Sequence, residues 1–183
     1  MKLSTLLSGL IALVPSLVHG VTVPGGDTPL FYLVASGPDS AGVNFLPVRL
    51  HGGSIQSVLT GTGPIAKYYF RQGQLVALDP NYPDGSLNWR PLVNTLQTGT
   101  ATCATYGQFS NVLGASTNKC ASYNSFYLEA NPENSQLGSR LTFNGQGGFY
   151  VCGTAKEVWY KVSSSDGPGD CTPIQLYTVP VVE

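Results

Sequence analysis

The chain reads as an all-β domain: a compact, disulfide-bonded barrel, with a β-trefoil as the favoured topology and a β-sandwich as the alternative. Three observations predict it. Apolar residues recur with a period of two in short runs such as Leu141/Phe143, Phe149/Val151 and Val158/Tyr160. Gly- and Pro-bearing turns separate about eleven or twelve such runs at roughly 8 to 15 residue intervals. No window beyond the first twenty residues carries an apolar stripe of helical period. So many short strands in so short a domain favour the trefoil.

Residues 1–20, MKLSTLLSGLIALVPSLVHG, place Lys2 before an apolar run and end with Val18 and Gly20 where a cleavage site wants small residues. This is the pattern of a secretory signal peptide. Ser8, Gly9, Pro15 and Ser16 interrupt the run, which falls short of the ~20 apolar residues of a membrane span. Residues 21–183 are then expected to form a single secreted domain with no membrane segment.

Within it, VTVPGGDTP is a loose lead-in. PLFYLVAS, residues 29–36, reads as a buried strand, and Pro47 in VNFLPVRL marks a sheet edge or bulge. A short strand follows at 56–60. IAKYYFRQGQLVALD is a hairpin with Gln72 and Gly73 at its tip. NYPDGSLNWRPLVNTLQTG, residues 81–99, has a turn at Pro83–Gly85 and no clear strand, and is expected to be a packed loop or an inserted extension. TATCATYGQF returns to strand. SFYLEANPENS echoes the earlier FYLVASGPDS, but one echo is not a repeat. SRLTFNGQGGFYVCGTAKEVWYK, residues 139–161, supplies three strands, with Gly145, Gly147 and Gly148 as hairpin glycines and Trp159 as a candidate core anchor. PIQLYTVPVV closes the domain.

Charged residues make up 10% of the chain against a typical ~25%. Without Lys2, eight Lys and Arg face ten Asp and Glu, so no basic patch exists to hold nucleic acid. A polar, weakly ionic surface suits an extracellular or cell-wall setting with neutral polysaccharide as a partner. The 42% apolar content argues against disorder.

The four cysteines, Cys103, Cys120, Cys152 and Cys171, are even in number, and two disulfides are expected. Of the three pairings the sequential one, Cys103–Cys120 and Cys152–Cys171, is favoured, because each bond then closes a short loop between neighbouring strands. Each contributes roughly 3 kcal/mol by restricting the unfolded chain. A metal centre is not expected, since no C-x-x-C spacing occurs and His51 is the only histidine after residue 20.

Catalytic signatures are weak. His51 and Ser54 do not form a nucleophile motif, and no G-x-S-x-G occurs. Gly145, Gly147 and Gly148 are not followed by the Lys-Ser/Thr pair of a phosphate loop, so no cofactor is implied. Glu129, Glu157 and Asp79 are the carboxylates that a glycosidase pair would draw on. Trp89, Tyr106, Tyr123 and Tyr127 are the aromatics placed to stack on sugar rings, if they are not in the core.

The order of features, with FYLVAS, then AKYYFRQGQLVAL, then LTFNGQGGFYVC running into EVWYKV, and a final cysteine before PIQLYTV, resembles the secreted fungal cell-wall protein family called PhiA-like, which includes IgE-binding mould antigens. The resemblance spans about Phe31 to Val179. It implies a non-enzymatic protein of the wall or secretome, linked to wall integrity and to asexual spore-bearing structures, with no catalytic residues to carry over. The competing class is a β-trefoil binding module, a lectin or a protease inhibitor. Oligomeric state is not set by the sequence.

Overall fold

The computed structural model describes residues 26–51, 56–133 and 135–182. The expected signal peptide and Ser54 lie outside them. The strands are β1 Phe31–Ser36, β2 Arg49–Leu50, β3 Ser57–Val58, β4 Lys67–Arg71, β5 Gln74–Leu78, β6 Asn88–Gly99, β7 Thr102–Leu113, β8 Ala121–Ser122, β9 Phe126–Glu129, β10 Arg140–Phe143, β11 Gly148–Cys152, β12 Glu157–Lys161 and β13 Cys171–Pro180. One 3-10 turn, Asp39–Ala41, interrupts them.

Every ladder is antiparallel. Following the pairings from β1 through β4, β5, β6, β7, β12, β11 and β13 leads back to β1, where Phe31 faces Pro180 and Ser36 faces Gln175. Eight strands thus close into one barrel, the size at which inward side chains just fill the interior. The barrel expectation holds at that level, and neither its trefoil nor its sandwich form is supported. The strand count misled because β2, β3, β8, β9 and β10 lie outside the ring and contribute no barrel staves.

Those outer strands have a structural use. At the end of the barrel where β1 finishes, the segment carrying β2 and β3 lies across the opening and buries Val43, Val48, Leu50 and Leu59 in the common core. At the other end, Phe126 of β9 and Phe143 of β10 enter the mouth. Phe126 meets Phe109 at 5.6 Å between ring centres, and Phe143 meets Tyr160 at 4.7 Å. Between the two plugs, Tyr68, Phe109 and Phe149 fill the middle. The interior is a packed core.

Residues 81–99 correct a second expectation. Their second half is β6, which with β7 forms a long hairpin of two twelve-residue strands. Alternation is hard to see there because Leu92 and Val93 are both buried on opposite faces, and register shifts at Thr95/Gln97 and Gln97/Gly99 break the period. The hairpin tip at Gln72–Gly73 is as expected. Both residues take positive φ, 51° and 76°, as a two-residue turn between right-twisted strands requires.

Both disulfides follow the sequential pairing, Cys103–Cys120 and Cys152–Cys171. The second ties residues that already face each other across β11 and β13. After β12, the segment from Val162 to Asp170 folds back over the outer wall. It covers Lys161, which is 1% exposed and donates to the Pro168 carbonyl at 2.5 Å, with its ammonium 5.1 Å from the Tyr150 ring centre.

Burial raises the pKa of three phenols, Tyr68, Tyr160 and Tyr177; for Tyr177, burial and then the Glu133 carboxylate push it from 10.0 to about 12. The folded state therefore holds these protons more tightly than the unfolded chain. Their contribution is fully present below pH 10 and is lost as pH rises from there towards the folded values. Urea midpoints are expected to stay level from neutrality to about pH 9 and to fall between about pH 10 and 12, with a shallower fall in Tyr177→Phe.

Candidate functional site

The β6–β7 hairpin outruns the ring. β12 pairs with β7 through Tyr106, Gly107 and Gln108, so β7 from Thr102 to Thr105 extends past the barrel mouth. The turn between β10 and β11 projects on the facing side. Between them lies a cleft of about 470 Å³, floored by Phe143 and Tyr160 and walled by Thr95, Ala104, Thr105 and Ser122 on one side and Asn144 and Gln146 on the other. That volume falls in the range of small-molecule sites.

Local hydrogen bonds hold both walls. On the hairpin side, the Thr95 hydroxyl donates to the Cys120 carbonyl at 2.9 Å, and the Asn118 amide donates to Asn94 Oδ1 and to the Thr95 carbonyl, each at 2.7 Å. The Asn118 Oδ1 accepts from the Cys120 backbone at 2.9 Å, and the Cys103–Cys120 bond lies in this wall. On the other side, the Asn144 backbone donates to the Ser125 carbonyl at 2.7 Å, and the Tyr160 hydroxyl donates to the Gln146 carbonyl at 3.0 Å. Burial raises the Tyr160 phenol, with the Asn144 side chain offsetting part of that rise. It stays neutral in the physiological range.

Among the described residues Lys119 is the only charged side chain lining the cleft, and no carboxylate lines it. The neutral hydroxyls and amides at the sides can hydrogen-bond a neutral polar ligand above an apolar floor, in which the Phe143 and Tyr160 rings are almost wholly buried, 6% and 3% exposed.

The structure does not bring the four expected aromatics together, and none of them lines the cleft. Trp89 is half-buried against the core. Tyr106 lies on the outer wall, its ring against Gly167, where an added Cβ would come within 2.5 Å of it, and 6.4 Å from the Trp159 ring centre. Tyr123 has the Arg90 guanidinium 4.3 Å from its ring centre and accepts from the Ser116 backbone at 2.6 Å. Tyr127 is exposed on β9. Trp159 is also outside the core: with Val158 and Tyr160 pointing inward, it stands half-buried on the outer wall and donates to Glu157 at 3.1 Å.

The three carboxylates are likewise apart and structurally engaged. Glu129 pairs with Arg140 at 2.6 Å, Glu157 accepts from Trp159 and from Gln108, and buried Asp79 accepts from the backbone and side chain of Asn81. Among the described residues no group of three His, Cys, Asp or Glu is placed to hold a metal ion, and no helix is long and apolar enough to cross a membrane. His51 is exposed.

The residues that sequence reading passed over are Phe143, Asn144, Gln146 and Tyr160. A signal was present in LTFNGQGGF, where two amides flank the glycines directly after an aromatic. No family model, curated protein or solved structure matches the chain.

Proposed function

We propose that this is a non-enzymatic, secreted, cell-wall-associated protein of the PhiA-like kind, and that it holds neutral polysaccharide in the cleft beside the β6–β7 hairpin. The observation that carries the reading is the composition of that cleft: hydroxyls and side-chain amides above two largely buried aromatic rings, with one lysine and no carboxylate among the described residues. A wall polymer of uncharged sugar units meets such a surface by many weak hydrogen bonds, direct and through water. The low charge of the chain as a whole supports the same partner class. A role in wall integrity or conidiation would follow from retention in the wall. Two disulfides and the filled barrel fit an extracellular life, where a small domain must outlast proteases.

The test is retention on isolated chitin, β-glucan and mannan. The protein is expected to bind at least one of them. Ala104→Trp, which fills the cleft from a half-buried wall position, is expected to weaken that binding by about tenfold or more. A protein that is retained on none of the three polymers, or an Ala104→Trp variant that binds as well as the parent, overturns the reading. Protease inhibition in place of retention would select the binding-module alternative.

A further inference from the structure

A second cavity lies on the outer wall, where the sheet forks. β13 is paired by β11 through Cys171–Ile174 and by β10 at Leu176 and Tyr177, and Gln175 between them has neither strand opposite it. β10 and β11 are consecutive in the chain but do not pair with each other. The gap between them is a cavity of about 140 Å³, bounded by Arg140 and Thr142 on one arm, Gly147 and Gly148 on the other, and Gln175 and Glu129 at its ends.

Two polar atoms of its lining residues are unusual. Arg140 Nε and Thr142 Oγ1 are both buried, and neither has a hydrogen-bond partner among the described residues. Buried polar groups are normally paired, because an unpaired one costs free energy. The Arg140 Nη2 donates to Glu129 Oε2 at 2.6 Å, which fixes the guanidinium plane and leaves its Nε–H directed elsewhere. The glycine arm is fixed too: an added Cβ on Gly147 would lie 2.1 Å from the Lys161 carbonyl oxygen.

We propose that this fork is a binding site for one neutral polyhydroxy unit, a single sugar ring or a small polyol. Arg140 Nε donates to one ligand oxygen, Glu129 accepts from a neighbouring hydroxyl, and Thr142 does either. An anion meets the Glu129 carboxylate and a cation meets the Arg140 guanidinium, so an uncharged ligand is selected. At about 140 Å³ the cavity is well below the ~300 Å³ at which drug-sized sites begin, which suits a single small unit. The site and the cleft share only Phe143 and Gln146 among the described lining residues, and the inference does not depend on the cleft being occupied.

The experiment follows the Arg140 Nε–H and the Gly147 and Gly148 amide signals by proton–nitrogen NMR while D-glucose, D-mannose, N-acetyl-D-glucosamine, glycerol or sodium acetate is added. At least one of the four neutral probes is expected to move all three signals along one saturable curve, with acetate moving none. Thr142→Val, close in shape but lacking the hydroxyl, is expected to weaken that curve about fivefold. Ala104→Trp is expected to leave it unchanged. No saturable movement with any neutral probe, a stronger response to acetate, or loss of the response in Ala104→Trp each overturns the proposal. Arg140→Lys keeps the positive charge beside Glu129 but lacks the Nε–H, and is expected to abolish binding; should it fail to fold, the Thr142→Val comparison still decides.

Discussion

Phe109→Ala is expected to lower the unfolding free energy by about 4 kcal/mol, the range for emptying a large aromatic site in a core. Phe109 has no solvent exposure, and its ring meets Tyr68 at 6.2 Å, Phe126 at 5.6 Å and Phe149 at 5.8 Å. Two of those partners belong to the barrel wall and one to the plug at its mouth. The substitution therefore opens a void where wall and plug join, and the surrounding closed ring has little freedom to collapse into it. Urea denaturation followed by tryptophan fluorescence measures the effect. A loss below about 1 kcal/mol would mean that the plug does not pack against the wall as described.

Gly147→Ala is expected to cost as much, about 4 kcal/mol, for a different reason. The residue has φ of 60°, in the left-handed region, and a Cβ there would meet the backbone of Lys161 and Val162. Backbone cannot rotate away as a side chain can, so the β10–β11 turn must move off β12. Gly145 offers the control. Its φ is 63°, but an added Cβ meets nothing within 4 Å, and Gly145→Ala is expected to cost only about 1 kcal/mol of conformational strain. Equal losses in the two variants would show that the steric contact, and not φ, has been misjudged.

How much of this was legible in the sequence depends on the distance over which a feature is built. The β4–β5 hairpin is local, with its turn written in Gln72–Gly73. The disulfides were legible because four cysteines flank segments that neighbour in sequence and in space. The ring order was not, since closure rests on β1 meeting β13 from the far side of the chain, and no local period encodes a partner. β6 was missed because burial on both faces and two register shifts erase the alternation by which a strand is recognised. Trp159 was placed in the core by residue type, although its own neighbours Val158 and Tyr160 fix it outward by the strand period. The cleft draws on five separate segments, and the aromatics that floor it, Phe143 and Tyr160, have the same pattern as any core pair.

The position of β13 in the ring bears on how the protein comes to be made. It pairs with β1, β10 and β11, so until Cys171–Pro180 has left the ribosome the first strand lacks a partner along most of its length and the barrel has an open seam. Closing the barrel waits for the long-range contact of Phe31–Ser36 with β13, which places the domain among slow, topology-limited folders. During that interval Cys152 has no Cys171 to meet, and the final oxidation and the closing of the barrel become a single late event.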